Sequence, residues 1–118
     1  MFKIDPDILV AAICSWGGLA QIEKAREECR ELIEALDDYL ANPTAETINH
    51  VAEETADVLI MTHQLAMIFS PSSVHLWVKM KMERLKGLLA LGGSVHEIPH
   101  RDEHRRRDLQ GPPVGGES

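Results

Sequence analysis

The sequence predicts an all-α protein, an antiparallel helical bundle of about four helices followed by a flexible C-terminal tail. Apolar residues recur at spacings of three and four through most of the chain, as they do along one face of a helix. Only five of the 118 residues are aromatic, which disfavours a sandwich of aromatic and β-branched strands. Helix-breaking residues divide the periodic stretches into four segments.

The first two helices follow from helix-start and helix-end patterns. Asp5 is expected to be an N-cap and Pro6 the first helical residue, a position that favours proline. This helix is expected to end near Trp16, before two glycines. A second helix is predicted from Leu19 to about Leu40, where the apolar residues keep a helical spacing.

A third helix is predicted after the break at Asn42–Pro43, with Thr44 as its N-cap and its end near Phe69. Its second half, residues 58–69, is apolar on nearly every side. A helix without a polar face must be covered on more than one side. We therefore expect this half at the centre of a bundle or in an interface between copies of the chain.

A fourth helix is predicted from Val74 to Leu91, between a Ser-Pro-Ser-Ser break at 70–73 and a pair of glycines. The glycines complete one helical domain, which we place at residues 5–93. Beyond it, at 94–118, the chain has few apolar residues and is expected to be a disordered tail.

The tail contains three histidines at four-residue spacing, His96, His100 and His104. On a helix they would align as ligands for a soft divalent metal. Pro99 and the glycines that flank the segment argue against that helix, so a disordered segment is the favoured interpretation.

Charge and composition disfavour several classes of function. The net charge is −7, and residues 23–57 hold eleven acidic and three basic side chains, a net of −8. Nucleic-acid binding is therefore disfavoured, and no apolar run approaches the ~18 residues of a membrane span.

The two cysteines, Cys14 and Cys29, are expected to be reduced, partly buried thiols of a cytoplasmic protein.

Four acidic residues form two pairs with the same three-residue spacing, Glu28 with Glu31 and Glu54 with Asp57. Residues three apart share one face of a helix. The midpoints of the pairs, 29.5 and 55.5, are equally far from 42.5, which falls in the Asn-Pro break. In an antiparallel hairpin about that break, each pair would lie roughly 20 Å from the turn, so the two pairs would share one level.

Four converging carboxylates would repel one another and destabilise the fold unless a cation lies among them. Oxygen-only ligands favour a hard ion, so Mg²⁺ is expected, with Mn²⁺ as the other choice. The alternative is a solvated acidic stripe that pairs with Arg26 and Arg30.

The two acidic motifs also resemble those of a known family. The MazG-like, all-α nucleotide pyrophosphohydrolases carry EExxE and then EExxD, and the chain has EECRE at 27–31 and EETAD at 53–57. The resemblance covers about residues 16–86. It implies that the four paired acids hold Mg²⁺ and that a nucleoside triphosphate is hydrolysed between its α and β phosphates. Some small relatives have a further acid where this chain has Leu59, which leaves the number of metal ions open.

Further side chains have the chemistry that such a site requires. Glu27 and Glu53, which adjoin the paired acids, are candidates to take the proton of the attacking water. Lys24, Lys81 and Arg84 are candidates to contact phosphates. The alternative for these three basic residues is a solvated face or, for the first of them, an ion pair with a motif carboxylate.

Trp16 and Gln21 are the candidate nucleobase contacts. Trp16 lies just before the two glycines and would stack on the base, although packing in a core or an interface is the alternative. Gln21 is seven residues before Glu28, on the same helix face, and would bind a base edge or a ribose hydroxyl.

Two functions from different classes fit these patterns. The first is a metal-dependent nucleoside triphosphate pyrophosphohydrolase. The second is a non-catalytic helical interaction module, in which the acids are only a surface and the apolar third helix is a docking face. In both cases the small core predicts a homo-oligomer, a dimer or a tetramer.

Overall fold

The structure, a computed structural model, describes residues 2–92, which form four α-helices and no strand. They are α1 (Pro6–Trp16), α2 (Gly18–Ala41), α3 (Ala45–Phe69) and α4 (Pro71–Ala90). The prediction of an all-α, four-helix fold is confirmed. The predicted tail at 94–118 lies outside the described residues.

Side-chain caps fix where α1 and α3 begin. Asp5 Oδ1 accepts a hydrogen bond from the Asp7 backbone N–H at 2.9 Å, and Pro6 is the first helical residue. At α3, Thr44 Oγ1 accepts from the Thr47 N–H at 3.0 Å, and Thr47 Oγ1 accepts from the Thr44 N–H at 2.9 Å. This reciprocal capping box satisfies N–H groups that have no partner inside the helix.

A single glycine separates α1 from α2. Gly17 has a φ of 91°, which glycine adopts freely and other residues rarely do. The two helices are bent by 111° at this point. Among the described residues no single helix is long and apolar enough to cross a membrane, and only this bent pair meets the length and composition for it when taken together.

The helices α2 and α3 form an antiparallel hairpin about residues 42–44. They pack along their length, and a methyl group added at Gly18, where α2 begins, would lie 3.9 Å from Ile68 Cγ2, near the end of α3. Ala25 and Ala35 of α2 are buried, and their small side chains allow the two backbones to approach. The hairpin is the element that determines which acidic residues can meet.

The apolar core of the described residues is small. It consists of Leu9 from α1, Ala25 and Ala35 from α2, and Met61 from α3. A core of this size leaves many large apolar side chains exposed to solvent.

The prediction that the two cysteines are partly buried is wrong. Cys14 and Cys29 are both free, but both are exposed rather than partly buried. The reason is the size of the core, because few residues of any type are covered and the helix faces that carry the thiols lie outside it.

The chain divides into two compact units at residue 70. The first contains α1, α2 and α3, and the second begins at Pro71 with α4. This helix begins three residues before Val74, where it was predicted. The Ser-Pro-Ser-Ser segment is a helix start rather than a connection, because Pro71 takes the first helical position, where its missing N–H removes no hydrogen bond. The single domain predicted over residues 5–93 stays a prediction.

Candidate metal centre

The hairpin brings acidic residues of both helices together midway along its length. Glu28 of α2 and Glu54 and Asp57 of α3 each offer a carboxylate oxygen that lies within 4.8 Å of the others. The structure therefore brings together three of the four paired acids at one level, as the position of the Asn-Pro break predicted. Their role as metal ligands stays a prediction.

The fourth acid, Glu31, does not belong to this group. It is half-buried and lies one turn after Glu28 on α2. Its negative charge acts on a neighbouring basic residue, Lys24, whose pKa it helps to raise. The proposed role of Glu31 as a fourth ligand stays a prediction.

Two of the three converging carboxylates are buried. Glu28 and Glu54 are each 7% exposed, although glutamate is almost never buried unless it is paired. Each has one oxygen near a basic group four residues earlier: Glu28 Oε2 is 3.3 Å from Lys24 Nζ, and Glu54 Oε2 is 3.3 Å from His50 Nε2. The second oxygen of each, Oε1, is buried and has no hydrogen-bond partner among the described residues.

These two unpartnered oxygens fit a divalent cation. A buried polar atom without a partner costs about 1–3 kcal/mol, and more when it is charged. A cation bound between Glu28 and Glu54 would satisfy both atoms at once, with Asp57 as a third ligand. The donor set is oxygen only, which suits Mg²⁺ or Mn²⁺.

Lys24 is bound to the acidic motif of its own helix. Its Nζ lies 3.3 Å from Glu28 Oε2 and 3.8 Å from Glu27 Oε1. The hydrogen bond with Glu28, and then the charges of Glu28 and Glu27, raise the pKa of Lys24. Of its two predicted partners, a phosphate or this carboxylate, the structure shows the carboxylate.

The two candidate proton acceptors have different surroundings. Both Glu27 and Glu53 are exposed beside a buried motif glutamate. Glu27 is held near Lys24, whereas Glu53 lies in a second group with His50 and Glu54, whose ligand atoms are within 4.8 Å of one another. Their catalytic roles stay predictions.

Two buried glutamines, one on each helix of the hairpin, lie about two helical turns from the acidic group. Gln21 is 6% exposed and Gln64 is 4% exposed. Gln21 is seven residues before Glu28, and Gln64 is seven residues after Asp57, so the antiparallel register places both on the same side of the centre. Gln64 Oε1 is buried without a partner among the described residues, and it can accept a hydrogen bond from a ligand.

The sequence patterns did not single out His50 or Gln64 as site residues, although each has a spacing that points to it. His50 precedes Glu54 by four residues, the spacing at which helical side chains meet. Gln64 mirrors Gln21 across the predicted turn. For both residues, the signal that could have found them is their spacing in the sequence from the second acidic motif.

The remaining candidate residues are not part of this hairpin. Trp16 is the last residue of α1 and is 68% exposed. Lys81 and Arg84 lie three residues apart on α4, and Lys81 Nζ is 5.3 Å from the centre of the Trp77 ring. Their assignment to base and phosphate groups stays a prediction.

No protein-family model, curated protein or solved structure matches the chain.

Proposed function

We propose that the chain is a metal-dependent nucleotide pyrophosphohydrolase, which cleaves a ribo- or deoxynucleoside triphosphate to the monophosphate and pyrophosphate. The observation that carries the proposal is the pair of buried carboxylates, Glu28 and Glu54, each with one oxygen that lacks a partner. Lys24 and His50 each approach one oxygen of these carboxylates, but a buried charged acceptor that is left without a partner is unfavourable. The resemblance of the EExxE and EExxD motifs to the MazG-like family supports the same proposal and supplies the reaction.

The residues that would hold the cation are Glu28, Glu54 and Asp57, with Glu31 as the proposed fourth ligand. When bound, Mg²⁺ or Mn²⁺ would neutralise phosphate charge and lower the pKa of a water. A triphosphate needs this charge compensation, because residues 23–57 carry a net charge of −8 and would otherwise repel it.

The chain's own residues position the substrate and take the proton. A water oxygen bonds to the α-phosphorus, the bond from that phosphorus to the bridging oxygen breaks, and pyrophosphate leaves. The water's proton passes to the carboxylate of Glu27 or Glu53. The proposed substrate contacts are Lys24, Lys81 and Arg84 for phosphates, and Trp16 and Gln21 for the nucleoside.

A nucleotide panel tests the reaction. The full chain is incubated with Mg²⁺ and each common, deoxy and noncanonical triphosphate, and pyrophosphate release is measured. In ¹⁸O-labelled water the label is expected in the monophosphate, because attack occurs at the α-phosphorus. No turnover with any nucleotide, or label in the pyrophosphate, would contradict the proposal.

We also propose that the chain is a homo-oligomer, a dimer or a tetramer, in the cytoplasm. Large apolar side chains are exposed on the first unit, among them Trp16, Leu19, Ile33, Leu40, Ile48 and Phe69. An open groove of about 420 Å³ is lined by apolar residues of α2 and α3 that include Ile22, Leu65 and Phe69, together with Arg26 and Arg30. These two arginines suit the acidic surface of a second copy, which is the occupant that we propose.

Light scattering at micromolar concentration is therefore expected to give at least twice the 13.2 kDa mass of one chain. Phe69→Glu places a charge in the groove and is expected to lower that mass to the monomer value. Ala56→Glu is the control, because position 56 is exposed and lies two and a half turns from Leu65, on the opposite side of α3. A monomeric wild-type chain would disprove the proposed assembly.

The exposed apolar side chains favour one alternative function. In this alternative the chain is a non-catalytic interaction module, which docks a partner protein on these residues and uses the acids only as a surface. It predicts no turnover in the nucleotide panel and no specific binding of divalent cations. The two proposals therefore differ in every measurement on the acidic residues.

A further inference from the structure

The contact between α2 and α3 has a second polar level besides the acidic group. Gln21 and Gln64 are 6% and 4% exposed, and both are equally far in sequence from 42.5, the centre of the hairpin. Antiparallel helices place two such residues at the same level. Between this level and the acidic group, Ala25 and Met61 are buried and apolar, as core residues usually are. The glutamine level is therefore separate from the candidate metal centre.

The carboxamide of Gln64 lacks a hydrogen-bond donor. Its Oε1 is buried and has no partner among the described residues. A buried carbonyl oxygen without a donor is unfavourable, and an apolar side chain of similar volume would fill the same space without that cost. A ligand that brings an N–H group to this oxygen would remove the cost. The acceptor therefore indicates a ligand at the glutamine level.

The glutamine level lies at the distance from the acidic group that a nucleoside requires. Gln64 is seven residues after Asp57, which is about 10 Å along α3. A triphosphate with its α-phosphate at the acidic group would place its sugar in the first half of this distance and the far edge of its base near the end. Trp16, the proposed stacking residue, ends α1 just before the first turn of α2, at this end of the hairpin. The base edge, rather than the sugar, is the group that would reach Gln64.

We propose that Gln64 determines which nucleobase the site accepts, through a hydrogen bond from an N–H group of the base-pairing edge to its Oε1. This inference rests on the proposed nucleotide hydrolysis and names the group that selects the substrate. Gln21, at the same level on α2, has both an amide donor and a carbonyl acceptor, so it can pair with the base atom beside that N–H. A base that presents a hydrogen-bond acceptor to Oε1 instead leaves the oxygen unpaired and is rejected.

Methylated nucleotides test the proposal in the wild-type chain. The triphosphate that is hydrolysed fastest in the nucleotide panel is compared with an analogue in which methyl groups replace the hydrogens on the nitrogen atoms of the base-pairing edge. Loss of the hydrogen bond to a buried acceptor is expected to lower kcat/KM at least about tenfold. Equal kcat/KM values for the two nucleotides would overturn the proposal without any substitution in the protein.

Gln64→Met removes the carboxamide and keeps a side chain of similar length. We expect kcat/KM for the unmodified nucleotide to fall at least about tenfold, and its ratio to the value for the methylated analogue to fall toward one. The free energy of unfolding, measured with urea and a chelator in the absence of nucleotide, is expected not to decrease, because the change removes a buried atom without a partner. A variant that loses stability but keeps the ratio would give Gln64 a structural role only and would overturn the proposal.

Thr62→Val is the matched control. Thr62 is an exposed residue of the same helix, and its hydroxyl donates to the Leu59 carbonyl at 2.9 Å. The substitution removes a polar group two residues from Gln64, but one whose partner lies in its own helix. The ratio of the two kcat/KM values is expected to stay that of the wild type.

The outcomes separate this inference from the proposed function. A wild-type chain that hydrolyses no nucleotide contradicts the function, and the inference fails with it. Hydrolysis with a ratio that is the same in wild type and Gln64→Met contradicts the inference alone. A dideoxynucleotide tests the sugar: if Gln64→Met abolishes a preference for sugar hydroxyl groups and leaves the discrimination against the methylated base intact, the assignment to the base is overturned.

Discussion

Glu54→Gln is expected to reduce kcat/KM for pyrophosphate release by at least about a thousandfold while leaving the metal-free protein no less stable. A thousandfold loss corresponds to about 4 kcal/mol of transition-state stabilisation. The amide keeps the shape of the side chain but removes the charge that would hold the cation. Stability is retained because a buried neutral amide costs less than a buried carboxylate with an unpartnered oxygen.

The combination of lost activity and retained stability separates a functional carboxylate from a structural one. A residue whose role is to hold the fold would lose stability when changed. Glu34→Gln removes the same charge from an exposed position of α2 and is expected to change neither quantity appreciably. The measurements are steady-state kinetics and urea denaturation in the presence of a chelator. A Glu54→Gln protein that keeps more than a tenth of the activity would contradict the assignment.

Mg²⁺ at a hundred times its dissociation constant is expected to raise the free energy of unfolding by about 2.7 kcal/mol. For a domain of this size the melting temperature would rise by roughly 10 to 20 °C. The reason is that the native hairpin assembles carboxylates of both helices, whereas the unfolded chain does not. Glu28→Gln is expected to remove most of the increase, because it replaces the ligand that α2 provides to the group.

Two controls distinguish specific binding from screening of the acidic surface. Sodium chloride at equal ionic strength screens the charges of residues 23–57 without entering a site. Glu34→Gln lowers the surface charge as Glu28→Gln does and is expected to keep the Mg²⁺ effect. An equal rise in melting temperature for wild type and Glu28→Gln would favour the solvated acidic stripe.

Most of the fold follows from local patterns in the sequence. Asp5, Pro6 and Thr44 mark helix starts through hydrogen bonds to their own neighbours, and such bonds need no tertiary context. The register of the hairpin follows from the position of Asn42–Pro43 and the rise of the helix. For the same reason the meeting of Glu28 with Glu54 and Asp57 was predictable.

Other features depend on how the helices are rotated against each other. The three-residue spacing places Glu28 and Glu31 on one face of α2. The packing of α2 on α3, however, brings only Glu28 into the group with Glu54 and Asp57. The same packing buries Gln21 and Gln64 and leaves Cys29 exposed. Residue spacing does not determine this rotation, because it depends on which side chains fill the contact between the helices.

The central claim is that the acids of α2 and α3 form one divalent-cation site. Anomalous diffraction from crystals grown with Mn²⁺ tests it most directly, because the signal locates the metal itself. The expected result is a peak about 2.0 to 2.3 Å from carboxylate oxygens of Glu28, Glu54 and Asp57. A fully ordered hairpin without a peak at these three residues, at Mn²⁺ concentrations well above those that stabilise the protein, would contradict the claim.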